Sequence, residues 1–343
     1  TGELPRTPGH PFYERVSALL EKHGFEAVVE GECARYYSDG TGRPSIPPVV
    51  YFKALFVGFF EGIDSERGIA WRVADSMALR AFLGYELTEA TPDHSSLSRT
   101  RRLMSVETHR LVFQFVLEVL AKEGLLRGGT LGVDATALEA NAALRSIVRR
   151  DTGEGYEQFL TGLAAASGIK TPTREDLARI DRKRPKKGSN DDWTNPNDPD
   201  ARITKMKDGR THLAHKAEHA VDMDTGAVVS VTLQPADRGD TQTVGETVDE
   251  ARRNLRKVAA SPRARRRLRP VREIVTDKGY HSNGTVRGLN EDGLQTYISE
   301  PSRGRRNWKG KDREREAVYA NRRRVRGARG KRLLRRRDRK SVV

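Results

Sequence analysis

Two aspartates occupy matched settings in this chain. Asp134 lies near the end of the short apolar run TLGVDAT, and Asp277 ends the run PVREIVTD. A carboxylate at a strand end projects into the cleft at a sheet edge, where α/β proteins often place working groups. Two such carboxylates side by side repel unless a cation sits between them. Hard oxygen ligands prefer Mg²⁺ or Mn²⁺, and a pair of these ions about 3.5–4 Å apart clamps the attacking and leaving oxygens of a phosphoryl transfer. The blander reading is that each aspartate only caps a turn, since spacing alone does not make the two strands neighbours. His212, His215 and His219 have spacings that suit zinc on a helix face. Their segment, however, reads as a strand, in which residues 212 and 215 point to opposite faces, and zinc is not expected.

The elements that must position these groups fall into two stretches. A short helix is expected over Phe12–His23, ended by Gly24, and Gly40, Gly42 and Pro44 form a break. Residues 46–127 read as a helical domain. Phe52, Leu55, Phe56 and Phe59 mark one helix face; Ile69, Ala70, Val73 and Met77 mark a second; Leu111, Val112, Phe115, Val116, Val119 and Leu120 mark a third. Asp64-Ser65 and the segment around Thr91 and Asp93 suit helix starts. Short helices with short connections suit a DNA-binding module; a dimerisation or scaffold domain is the alternative. After Gly124–Gly129 the pattern changes. The order becomes strand, a polar insertion at about 141–205, a hairpin over 211–235 turning at Asp224-Thr225-Gly226, a helix over Thr241–Val258 with Asp240 as its cap, a strand delivering Asp277, a helix, the strand LQTYISEP and a basic helix. Such an order predicts one mixed α/β sheet over 128–343.

Charge is concentrated at one end. Of 343 residues, the 301 before Ser302 hold 44 basic and 43 acidic side chains, whereas Ser302 to the C-terminus holds 19 basic and 4 acidic. That asymmetry points to a polyanion. The tail reads either as an ordered grip on phosphates with a steep salt dependence or as a disordered, nonspecific tail. Trp308 reads as a base-stacking or packing aromatic. The single cysteine, Cys33, excludes an intrachain disulfide and a cysteine metal cage and fits a reducing, cytoplasmic setting. The longest apolar stretch, Val49–Phe60, is interrupted by Lys53 and falls far short of the roughly 20 residues that span a bilayer, so no membrane partner is expected.

The ordered set GVDATALEAN, HKAEHAVDMDTGAVVSV and IVTDKGYHSN resembles the catalytic core of bacterial insertion-sequence transposases with an RNase H-like DDE domain, and GRPSIPPVVYFKALF through TPDHSSLSRTR resembles the helical domain that precedes that core. The likeness spans roughly residues 43–337. It implies a mixed sheet with flanking helices, an all-helical domain before it, and Mg²⁺- or Mn²⁺-dependent cleavage at the element's terminal repeats, followed by strand transfer into target DNA, with oligomers forming on DNA. Asp134 and Asp277 match the two metal-binding aspartates. Lys278, Gly279 and Tyr280 match the turn after the second, with Gly279 expected to let the backbone bend. Lys278, Arg322, Arg323, Arg324, Lys331, Arg335 and Arg336 are the expected DNA contacts. The family's third acid is a glutamate on a helix after the last strand, near a Tyr and an Arg. Tyr319 and Arg322 fit those neighbours, but Arg326 stands at one common spacing for the glutamate, and GKRLLRRRDRKSVV ends where relatives continue into a glutamate-bearing helix. The expectation is a chain truncated or frame-shifted before that acid, with Glu300, Glu314 and Glu316 as weak substitutes. Two rival readings are a non-catalytic DNA-binding remnant and an RNase H-like nuclease that cuts without joining.

Overall fold

The computed structural model describes residues 10–37, 45–184, 188–302, 304 and 306–340. The break expected at Gly40, Gly42 and Pro44, and the last three residues of the basic cluster at 182–187, lie outside them. The chain divides into two units, residues 1–120 and 121–343.

The first unit is helical: α1 (Pro11–Lys22), α2 (Phe25–Cys33), α3 (Pro48–Glu61), α4 (Glu66–Asp75), α5 (Met77–Leu83), α6 (His94–Leu103) and α7 (Val106–Lys122). Helix starts are chemically marked. Ser65 accepts from the Gly68 amide, Ser76 from Leu79 and Asp93 from Ser96, each satisfying a donor left open in a first turn. Tyr13, Phe25, Val29 and Cys33 of the first two helices share one core with Tyr51, Phe52, Val57 and Leu79. On α3 the expected face is not the buried one. Phe59 is 69% exposed, whereas Val49, Val50, Tyr51, Ala54 and Val57 are buried with Phe52. This helix is apolar nearly all round, so periodicity alone does not select its inner side. The run through Met77 also breaks, because Ser76 is extended and starts α5.

The second unit is built on β1 (Thr130–Glu139), β2 (Val148–Arg149), α8 (Tyr156–Ala166), α9 (Arg174–Lys183), β3 (Trp193–Thr194), β4 (Arg202–Lys205), β5 (Thr211–Asp222), β6 (Val228–Pro235), α10 (Asp240–Val258), α11 (Pro262–Arg265), β7 (Glu273–Thr276), α12 (Asn283–Glu291), β8 (Gln295–Ile298), α13 (Asp312–Arg326) and α14 (Ala328–Lys340). The main sheet runs β4-β5-β1-β7-β8, with β6 also paired to β5. β1, β5 and β6 are antiparallel, while β1, β7 and β8 are parallel. This is the mixed RNase H-like sheet with flanking helices that the motifs imply. β5 and β6 meet through the turn after Asp222, whose buried carboxylate accepts from the Arg127 and Gly128 amides and from Thr225.

One sheet face packs on α10, where Ser230 and Asn254 tie β6 to the helix. The other carries Met223, Val275 and Tyr297, covered by Leu333 of α14. α13 lies along the open edge of β8, where the Asn321 amide bonds both the N–H and the C=O of Ile298. The insertion between β1 and β5 forms a small lobe with its own core of Ala140, Ile147, Trp193, Ala201 and Leu213. Arg149 stacks over Phe159 and Trp193 there. The described part of the basic tail is helical over Asp312–Arg326 and Ala328–Lys340, with extended Gly327 between.

Candidate active site

The pairing of β1 with β7 sets Leu131 beside Ile274 and Gly132 beside Val275. Continuing that register two residues brings Asp134 level with Asp277. Neighbouring strands lie about 4.8 Å apart, and both residues are half-buried. Asp134 lines a cleft on the face that carries Met223 and Arg337, whereas Asp277 stands past the end of β7, in the turn that follows it, and does not line that cleft. The Asp134 carboxylate accepts from the Ala135 amide at 2.9 Å. Asp277 is extended and caps the tight turn Lys278–Tyr280, its carboxylate accepting from the Gly279 amide at 2.9 Å. The two aspartates therefore do cap local backbone; Asp134 is not at a strand end as expected but midway along β1, which runs on to Glu139, and Asp277 follows the last residue of its parallel neighbour β7.

A cleft of about 160 Å³ opens beside Asp134 and is lined by Gly132, Thr136, Lys207, His219, Met223 and Arg337 among others. His219 is the cross-strand partner of Asp134. Burial pulls its imidazole below the usual range, and the carboxylates of Asp134 and Glu218 partly oppose that shift. Arg337 brings a cation from α14 into the same cleft. The other two histidines have separate partners: His212 bonds Glu139 and Asp208, and His215 bonds Asp198.

Gly279 is a glycine for closeness, not for bending. Its φ is not among the positive values of this chain. A Cβ there would meet Asp240 Oδ2 at 2.7 Å and Asp277 Oδ1 at 3.1 Å, so two carboxylates flank the glycine. Asp240 is likewise not a helix cap. Gly239 takes that position, and Asp240 is the first residue of α10, its other oxygen 2.6 Å from Lys216 Nζ. Behind this turn, fully buried Glu218 accepts from Thr243, Thr247 and Tyr280. Burial first, then the Glu218 and Asp240 charges, push the Tyr280 phenol far above its usual range and keep it a donor. Sequence reasoning missed this group. Its visible trace is Lys216 and Glu218, two charges on the strand face that also buries Ala214, Ala220 and Asp222.

The remaining candidates scatter. Glu300 follows β8, whose end lies beside that of β7, and it is held by Arg322 at 2.6 Å and by Arg306. That pairing with Arg322 is the first cause keeping its carboxyl below the usual range. Glu314 bonds Arg287 of α12, and Glu316 faces the groove between α12 and α13; neither lines the Asp134 cleft. Lys278, Arg323, Lys331 and Arg335 are exposed. Arg322 is committed to Glu300, Arg324 to Thr296 and Asn290, and Arg336 to Asp224. Trp308 packs near Tyr319 with Arg306 over its ring. Among the described residues, no group of three or more His, Cys, Asp or Glu side chains is arranged to hold a metal ion, and no helix is long and apolar enough to cross a membrane.

An RNase H-like mixed sheet, with one aspartate midway along its central strand and another just past the end of the neighbouring parallel strand, defines a class of proteins that process nucleic acids. The transposase DDE domain family matches residues 168–343, just over half of the chain and including Asp277, and a transposase domain family (DUF772) matches residues 4–103. The chain belongs to the DDE transposase family, and DNA transposition, with the DNA binding that it requires, is its function. Comparison with curated proteins and with solved structures gives no match.

Proposed function

We propose that Asp134 and Asp277 are the metal-binding carboxylates of a site that cleaves phosphodiesters at insertion-sequence ends and joins them to target DNA. The observation that carries this reading is the parallel pairing of β1 with β7, whose register, extended by two residues, sets Asp134 level with Asp277. The donor set fits Mg²⁺ or Mn²⁺, which take hard oxygen ligands and complete their shell from phosphate oxygens and water. When bound, such ions neutralise charge on a transferring phosphoryl group and lower the pKa of water. The protein's own part is positional. The Ala135 and Gly279 amides hold the two carboxylates, and exposed Lys278 offers a cation next to Asp277.

DNA is proposed to lie along exposed Arg323, Lys331 and Arg335, with copies of the chain assembling on paired ends. Of the candidate third acids, Glu300 is the one whose strand ends beside Asp277, and a role there requires its pair with Arg322 to open.

The test is a gel shift and an Mg²⁺-dependent cleavage assay on the element's terminal repeats, with Asp134→Ala, Asp277→Ala and Glu300→Gln beside the wild type. Cleavage lost in both aspartate variants, with binding kept, supports the reading, and a strand-transfer assay separates joining from nuclease action. Binding without cleavage in every form, wild type included, favours a non-catalytic DNA-binding protein.

A further inference from the structure

Beneath the Asp277 turn lies a buried ionic group outside the cleft itself. Lys216 is 6% exposed, and its Nζ sits 2.6 Å from Asp240 and 3.5 Å from Glu218 while donating to Thr243 at 2.9 Å. Glu218 has no exposed surface and takes hydrogen bonds from Thr243 at 2.8 Å, from Thr247 and from the Tyr280 hydroxyl at 3.0 Å. Thr232 in turn bonds Thr247. Taking charges out of water is costly, and well-packed apolar residues of similar volume often serve stability equally well or better. A fully satisfied polar network does something an apolar core cannot: it fixes one arrangement of the groups it touches.

What this one touches is specific. Tyr280 is the buried residue of the turn that Asp277 caps. Asp240 reaches the same turn from α10, at Gly279. Glu218 is the cross-strand partner of Ala135, the residue after Asp134, whose amide binds the Asp134 carboxylate. The cluster thus bonds the Asp277 turn at Tyr280, comes close to it at Gly279 through half-buried Asp240, and lies across from the backbone beside Asp134.

We propose that Lys216, Glu218, Tyr280 and Asp240 form a positioning network that sets the separation and orientation of the Asp134 and Asp277 carboxylates for divalent-ion binding. These are positioning residues, not ligands. The inference rests on the metal-site reading given above.

The test measures Mn²⁺ binding to the full chain by calorimetry, and DNA affinity by gel shift, in the wild type, Tyr280→Phe, Glu218→Gln and Asp277→Ala. Tyr280→Phe removes one hydroxyl and keeps the ring that fills the core, and its melting curve reports whether the fold survives. Partners that orient metal ligands from behind typically cost 10–100-fold in metal affinity when altered. The expected result is Mn²⁺ affinity weakened by about 10-fold or more in Tyr280→Phe and Glu218→Gln, DNA affinity unchanged, and binding abolished in Asp277→Ala. Wild-type Mn²⁺ binding that Tyr280→Phe leaves within about two-fold overturns the positioning role alone. Absence of Mn²⁺ binding in the wild type overturns the metal-site reading, and this inference with it.

Discussion

Asn321→Ala isolates one contact on which the geometry of the sheet's end depends. Ile298 closes β8, pairs with Thr276 on one side, and turns its N–H and C=O to the open edge. There the Asn321 amide, 1% exposed, supplies both missing partners: Oδ1 accepts from Ile298 N at 3.0 Å and Nδ2 donates to Ile298 O at 2.8 Å. The side chain stands in for a further strand. Alanine leaves a buried donor and a buried acceptor unmet, at about 1–3 kcal/mol each. Some relaxation of α13 will recover part of that, so the net loss is expected near 3 kcal/mol. Asn321→Asp keeps the acceptor but buries a carboxylate whose second oxygen faces the Ile298 carbonyl, and is expected to cost at least as much as alanine. Hydrogen exchange at the Ile298 amide provides the local assay. A change of that size is about a hundredfold in the opening equilibrium, since about 1.4 kcal/mol corresponds to tenfold. Urea denaturation followed by far-UV circular dichroism gives the global value. A loss under about 0.5 kcal/mol, with Ile298 exchange unchanged, would show that the amide does not seal this edge and that α13 is docked by other contacts.

Three other perturbations have defined outcomes. Gly279→Ala inserts a methyl 2.7 Å from Asp240 Oδ2 and 3.1 Å from Asp277 Oδ1. Overpacking costs about 1–3 kcal/mol, and a carboxylate displaced by about 1 Å costs on the order of 100-fold in rate, so metal-dependent cleavage should fall far more than the melting temperature; equal retention of both contradicts the close approach. His212 is held above the usual 6.5 by Asp208 first and Glu139 next, and Asp208 is held low by the Arg210 amide first and His212 next. The tie therefore stabilises fully below 6.5, weakens as pH rises through the raised imidazole value, and is lost at the acid end as pH falls through the lowered Asp208 value; a His212 ring titration at or below 6.5 by NMR rules it out. Finally, Lys331→Ala and Arg335→Ala should each reduce the slope of log binding constant against log salt by about 0.9 for duplex DNA, uniformly across sequences; an unchanged slope removes those side chains from the DNA path.

The order of elements along the second unit was largely legible because strand periodicity and turn residues are local signals, whereas which strands lie side by side was not. Alternating valines after Asp224-Thr225-Gly226 announce a hairpin, and IVTDKGY announces a strand running into a turn. What stayed hidden depends on distance in sequence. The bond from Tyr280 to Glu218 spans 62 residues, and no local pattern links them. Asp240 looked like a cap because caps and working carboxylates share a chemistry; only the approach of Gly279 separates the two. In the basic tail, arginine content indicated charge but not which turn of the helix faces the sheet. Arg322, Arg324 and Arg336 fall among the expected DNA contacts, and each also bonds a group of the fold: Glu300, Thr296 and Asp224. The face of α3 was ambiguous for the opposite reason, since apolar residues surround it on nearly all sides.

The lobe between β1 and β5 has a consequence for how the chain reaches its native state. β1 and β5 must find each other across the residues from Ala140 to Leu213, which close on a backbone bond of 2.8 Å. Closing a flexible loop costs entropy that grows with its length, and pairings of high sequence separation slow folding. Here the intervening chain carries its own core around Trp193. Formed first, that core brings the ends of the excursion together before the central pairing begins, so the two strands meet across a short gap. Variants that loosen Trp193 should then slow the assembly of the sheet that carries Asp134 more than they weaken the sheet once it is made.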